Sequence, residues 1–181
     1  GWMDEVDTRE AAYWNMLSGG AGHTYGNHNI WQMYDEKRAP VNNARITWQV
    51  AMDQPGAFEV GYMKKMLEKR NWQRLRYDPG VIEGNNPEGV QFKLAALSLD
   101  HDFMMVYIPY GDSTTVNTSK VNARQLKGWW FNPRDGRSIS LGTFENKGSE
   151  TFRPTSVGRG SDWVLILDDA EKNYPDPDIR K

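Results

Sequence analysis

The chain has 181 residues, enough for one or two domains with a sizeable buried core. Hydrophobic residues make up 38% and charged residues 25%, the balance of a globular chain, and no apolar run reaches the roughly 18 residues that a membrane span needs. Basic and acidic side chains number 22 and 24, and divide at Arg70 as 8 against 9 and 14 against 15, so neither part carries the basic footprint of a nucleic-acid binder.

There is no cysteine, which excludes disulfide frameworks, thiolate zinc sites and cysteine nucleophiles. The opening Gly1-Trp2-Met3 is neither a signal peptide nor a natural start, and reads as a chain that begins inside a larger domain. Trp2 and Met3 are apolar and need partners. Asp7 with Glu10 three residues on is the pattern of a capping box. Ala12, Tyr13, Met16 and Leu17 follow at helical spacing, and Gly19-Gly20 ends the helix.

Residues 22–26 read as a short strand with His23 and Tyr25 on one face. A long loop follows, with Asn27, His28, Asn29 and Trp31. A second helix is expected from Asn42 or Asn43 to Met52, stopped by Asp53-Gln54-Pro55-Gly56. A third is expected over 57–69, with Phe58, Tyr62, Met63, Met66 and Leu67 as its apolar stripe.

After Trp72 the pattern turns to strands. Val90, Phe92, Leu94 and Ala96 alternate with Gln91 and Lys93, a half-buried strand. Phe103 to Ile108 is apolar on both faces and reads as a central strand. Two strand-like runs, 126–132 and 137–144, flank Pro133-Arg134-Asp135-Gly136, a hairpin signal. The adjacent Trp129 and Trp130 then face opposite ways, one into the core and one outward. Trp163 to Leu167 is a last buried strand, and an acidic, proline-punctuated tail is expected to fray. Short strands with turns between them predict an antiparallel β-sandwich. The division expected is 1–72, 73–170 and a tail of 171–181.

Candidate chemistry concentrates at His23, Tyr25, His28 and Trp31, which together suit the rim of a ligand site; buried core packing is the alternative. His23 and His28 form a possible metal pair, but no third ligand is evident, so no metal is assigned. No carboxylate pair stands out for acid–base work. Asp4, Glu5, Asp7 and Glu10 sit where a helix start favours acids, and Asp100, Asp102, Asp168 and Asp169 read as solvated turn residues. There is no nucleophile motif and no phosphate-cradling loop, so no catalytic residue and no cofactor is assigned.

Several stretches resemble a known family. Arg9-Glu10-Ala11-Ala12-Tyr13-Trp14, Leu17-Ser18-Gly19, Ala21-Gly22-His23-Thr24-Tyr25-Gly26 and Trp31 are similar to the last part of the (β/α)8 barrel of apiosidase-like bacterial glycoside hydrolases. Trp130-Phe131-Asn132-Pro133-Arg134-Asp135-Gly136 and Asp162-Trp163-Val164-Leu165 resemble the β-domain that follows it, labelled as the collagen-binding domain of a collagenase. The resemblance implies an α+β chain: a C-terminal fragment of a (β/α)8 barrel, then an antiparallel β-sandwich. It implies that residues 22–25 are the eighth barrel strand, with His23, Tyr25, His28 and Trp31 lining a glycan cleft. It also implies catalytic carboxylates upstream, a missing N-terminal part of the barrel as packing partner, and a secreted or periplasmic protein. This chain alone is then expected to be inactive. The alternative function is a non-catalytic module that binds glycan or collagen through the sandwich.

Overall fold

The computed structural model describes residues 2–180. Helix α1 spans Glu5–Leu17 and is capped one turn earlier than the sequence pattern suggests. Asp4 accepts hydrogen bonds from the Val6 and Asp7 amides, and the Asp7 carboxylate accepts one from the Asp4 amide. Glu10, the residue expected to close that box, is instead buried.

The expected strand at residues 22–26 does not form. The segment is irregular, and no strand of either sheet pairs with it. A short helix, α2 (His28–Trp31), follows. The second expected helix shrinks to α3 (Trp48–Ala51). Asn42 and Asn43 adopt left-handed backbone angles, which asparagine tolerates and which a helix start does not. Helix α4 runs over Pro55–Leu67, beginning two residues before the expected start because Pro55 is preset for a first helical position. Its Met63, Met66 and Leu67 are buried, while Phe58 is exposed.

The strands are β1 (Leu75–Tyr77), β2 (Ile82–Glu83), β3 (Leu94–Ser98), β4 (Phe103–Ile108), β5 (Thr114–Val116), β6 (Gln125–Phe131), β7 (Ser138–Glu145), β8 (Glu150–Phe152) and β9 (Trp163–Asp169). They form an antiparallel six-stranded sheet, β1-β3-β4-β9-β6-β7, and a three-stranded sheet, β2-β5-β8. β4 is interior, as its apolar run predicts. β9, last in the sequence, is inserted between β4 and β6. Pro133–Gly136 is the loop of the β6–β7 hairpin, closed by the Asn132 amide on the Arg137 carbonyl.

The large sheet is covered on both faces. Phe103, Met105, Tyr107, Trp129 and Phe131 face α1 and α4. Met104, Val106, Ile108, Trp130 and Trp163 face the small sheet. This corrects two expectations. Trp129 and Trp130 do point opposite ways, yet both are buried. β3 begins later than predicted, and all five of its residues are buried rather than alternating.

Charged groups run through the helix–sheet seam. The Arg9 guanidinium donates to Glu59 on α4 at 2.8 Å and to Asp162, just before β9, at 2.9–3.2 Å. Tyr107 donates to the same Asp162 at 3.1 Å, and Tyr13 stacks on Tyr107 with ring centroids 4.7 Å apart. Further along, Arg70 grips Asp168 through two nitrogens, and the Trp129 indole N–H donates to that carboxylate at 3.0 Å. Asp168 is therefore no solvated turn residue; β9 extends through it, and a buried cation needs its charge. Asp102 is buried too, accepting from Ser98 and from Tyr174.

The tail does not fray. Lys69 donates to the carbonyls of Asp176 and Asp178, and the Ile179 amide donates to the Gly136 carbonyl. Gly136 has φ +72°, and a Cβ there would lie 2.4 Å from the Ile179 side chain, so only glycine admits this contact.

Two predictions arise from the seam. Arg9→Ala leaves Glu59 without its cation and Asp162 with only Tyr107 and the more distant Arg134 at 3.7 Å, and should lower unfolding free energy by about 3–5 kcal/mol in denaturant titration. Arg74→Ala, which breaks the exposed pair with Asp100, should cost far less because water screens that pair. Equal losses would contradict the seam's role. The second prediction concerns Glu10, whose pKa is pushed up to about 6, first by burial and then by the Asp7 and Asp162 charges. A carboxyl with a raised folded pKa binds its proton more tightly in the native state, so stability falls as pH rises from about 4.5 through 6. Glu10→Gln should raise stability at pH 7.5 by about 1 kcal/mol after solvent screening, with no gain at pH 4. Thermal melts across this range measure it; a gain of the same size at pH 4 would refute it.

Candidate functional site

A cavity of about 460 Å³ opens where the first turn of α1, the cap of α2 and the start of α4 meet. Its wall includes Trp2, Asp4, Tyr25, Asn27, His28 and Gln54. Gly56, in the first turn of α4, lets that helix approach closely: a Cβ there would meet Thr8 at 3.3 Å and the Tyr25 ring at 3.4 Å. This contact seats Tyr25 against α4.

Trp2 finds the partners its apolar surface needs. Its ring stacks on His28 with centroids 5.6 Å apart, and the Arg45 guanidinium lies 3.7 Å from its centroid. His28 Nε2 is buried and has no hydrogen-bond partner among the described residues.

A chain of amides links the loop to the helices. The Asn27 Oδ1 accepts from the Asn29 amide at 3.0 Å and from Asn29 Nδ2 at 2.8 Å. The Asn27 Nδ2 donates to Gln54 Oε1 at 2.5 Å and reaches the Tyr25 hydroxyl at 3.3 Å. Gln54 is the residue that precedes α4.

Of the two acidic residues that line this cavity, Asp4 and Glu5, the first is unsuited to proton donation. Asp4 caps α1 and is held by Arg159 at 2.8 and 2.9 Å. The Arg159 hydrogen bond draws its pKa down to about 2 against the opposing effect of burial, with the cap amides adding to the fall. The buried carboxylates Glu59, Asp102, Asp162 and Asp168 are each tied to partners in the seam and sheet.

The four residues singled out in the sequence do not share one cavity. Tyr25 and His28 lie together in the one just described. His23 lines a second, more apolar depression of about 300 Å³ between α1 and α4, beside Met16, Met63, Leu67 and Trp72. Trp31 is 62% exposed and lines neither. The two-residue spacing put His23 beside Tyr25 only if the segment were a strand, which it is not. Asn27, Gln54 and Arg45 were missed. Asn27 carries a signal of its own, an asparagine just before a short helix, and Gln54 sits just before a helix-starting proline.

The arrangement offers ring faces beside a few fixed polar groups, which is the chemistry of sugar recognition. Among the described residues no helix is long and apolar enough to cross a membrane.

Comparison with known proteins bears on this geometry. Residues 1–74 match the family described as "Apiosidase-like, catalytic domain", and residues 78–168 match the one described as "Putative collagen-binding domain of a collagenase". The chain is similar to a solved glycoside hydrolase with 30% identity and a TM-score of 0.91, over 97% of this chain and 39% of that one. It is also similar to a glycoside hydrolase family 5 protein from Bacteroides vulgatus ATCC 8482, with 27% identity and a TM-score of 0.91, over 98% of this chain and 38% of that one. The chain thus spans less than two fifths of the length of these structures. No curated protein matches it. With half of its residues in the β-domain match and most of the remainder in the catalytic-domain match, the chain is glycoside hydrolase-related and belongs to the family of that collagenase β-domain, joined to an apiosidase-like segment.

Proposed function

We propose that these residues work as the C-terminal portion of a secreted or periplasmic glycoside hydrolase acting on plant or other complex polysaccharides. In this reading residues 1–72 complete a (β/α)8 barrel, and residues 73–170 form a sandwich that packs on it. The observation that carries it is the match of residues 1–74 to a catalytic-domain family in a chain that covers 39% of a solved glycoside hydrolase.

Two further features support it. Large exposed apolar side chains gather in the first 58 residues: Trp2, Trp31, Met33, Val50, Met52 and Phe58 are each between 45% and 62% exposed. Such a surface suits burial against further barrel elements. The other feature is the state of the acids. Glycosidic hydrolysis generally uses two carboxyl groups flanking the bond, one of them protonated. Asp4 is held ionised, the buried Glu59, Asp102, Asp162 and Asp168 are committed to partners, and Glu10, whose pKa burial raises, lines neither cavity. The catalytic pair is therefore assigned to residues outside these 181.

Apart from the exposed Tyr77 on edge strand β1, the sheet aromatics favour packing over a separate binding module. Trp129, Trp130, Phe103, Tyr107, Phe131 and Trp163 are all buried between layers. They offer no stacking face to a glycan or to collagen.

The purified 181-residue chain should release no reducing sugar from xylan, pectin or arabinan. Supplied as part of a protein that adds an upstream barrel segment, it should support turnover. Hydrolysis by the short chain that survives removal of contaminating enzymes would overturn this division of labour.

A further inference from the structure

The amide chain beside the cavity fixes which hydrogen-bond groups face it. Two backbone amides set its direction, because a backbone N–H can only donate. The Arg45 amide donates to Asn29 Oδ1 at 3.2 Å, so the other end of that side chain is Nδ2. Asn29 Nδ2 donates to Asn27 Oδ1, which also accepts from the Asn29 amide. Asn27 must then present Nδ2 to its remaining neighbours. Gln54 meets it with Oε1, and the Tyr25 oxygen is its second acceptor.

The outcome is a polarity that the ligand cannot reverse cheaply. Gln54 Nε2 and the Tyr25 hydroxyl proton have no acceptor among the described residues, and both residues line the cavity. Each is a donor left over. Turning the Gln54 amide would bring two N–H groups against each other and leave one Asn27 N–H unpaired, which costs about 1–3 kcal/mol. The carboxylates of Asp4 and Glu5 line the same cavity, and Asp4 stays ionised near neutral pH. Arg159 offsets the Asp4 charge, so the bias against an anionic ligand comes mainly from Glu5.

We propose that Tyr25, Asn27 and Gln54 form a donor-only subsite for an uncharged acceptor oxygen of a sugar, with Asn27 as the positioning residue that sets its polarity. The inference rests on the glycan reading above. The acceptor can be a hydroxyl or ring oxygen, or the carbonyl of an acetyl group; both present lone pairs without charge. A uronate carboxylate is disfavoured beside Glu5.

The test is a titration of the isotopically labelled 181-residue chain, following the Gln54 side-chain amide signals. The probes are cellotetraose, chitotetraose and tetragalacturonate. A neutral oligomer should shift the Gln54 signals at millimolar concentration, and tetragalacturonate should not. A response to cellotetraose identifies hydroxyl or ring oxygen, and one confined to chitotetraose identifies the acetyl carbonyl. Asn27→Asp keeps the oxygen that caps α2 and turns the donor into an acceptor, so Gln54 must reverse. Affinity should fall at least tenfold with the melting temperature little changed. Gln54→Glu removes the outward donor while keeping an acceptor for Asn27, and carries the test if the first variant folds poorly. Unshifted Gln54 signals with all three probes, or undiminished affinity in both variants, overturn the subsite. Turnover by a longer protein with Gln54 unperturbed overturns it while leaving the hydrolase reading intact. Neutral-sugar binding at Gln54 without turnover in any longer protein does the reverse.

Discussion

The Arg9 guanidinium is the group on which the relation between helices and sheet depends. It lies between the carboxylates of Glu59 and Asp162, and so joins α1, α4 and the entrance to β9 at one point. Burial raises the pKa of Glu59, and the Arg9 hydrogen bond opposes that effect. A guanidinium suits this place because its planar fork serves two carboxylates at once without losing its charge. The surrounding apolar contacts would hold the layers together in many orientations. The ion pairs select one, since a small slide would strand three charges in a low-dielectric seam.

That fixed orientation has an effect at the far end of the helices. The cavity is built from the starts of α1 and α4, whose separation is set by the seam and by the close contact at Gly56. The Arg159 bond to Asp4 ties the first turn of α1 to the loop before β9. The loop carrying Tyr25, Asn27 and His28 has no regular sheet to hold it. Its shape comes from side-chain amides: Asn15 on α1 donates to the Gly22 carbonyl, and Asn27 donates to Gln54 just before α4. A site on irregular backbone is thereby given the fixed geometry that recognition requires.

How much could be read from the sequence follows the kind of interaction involved. The runs 103–108, 126–132 and 163–167 are strands because their apolar content leaves no exposed face, and the hairpin between β6 and β7 announces itself through Pro133 and Gly136. These are local patterns with one physical meaning. Asp168 failed as a turn residue because its partner, Arg70, is 98 residues away, and no local pattern carries that pairing. The segment at 22–26 has the alternation of a strand, but a strand also needs a neighbour to share its hydrogen bonds. The tail has the composition of a frayed end, yet its carbonyls meet Lys69 and its amides meet the hairpin. In the cavity, the rings were legible as types of residue; the amides that orient them were not, because an asparagine in a polar loop looks like any other.

The insertion of β9 between β4 and β6 imposes an order in time. β3 and β4 can pair as soon as they are made, and so can β6 and β7, since each pair is joined by a short connection. These are two separate halves, each with an inner edge, β4 in one and β6 in the other, that waits for its partner. The sheet becomes continuous only when residues 163–169 have left the ribosome and enter between them. Until then Val106, Leu126 and their neighbours have no cover along that seam, and both open edges present backbone groups suited to pairing with another chain. The final strand is therefore the element that commits the nascent chain, and the interval before its arrival is when association between copies competes with folding.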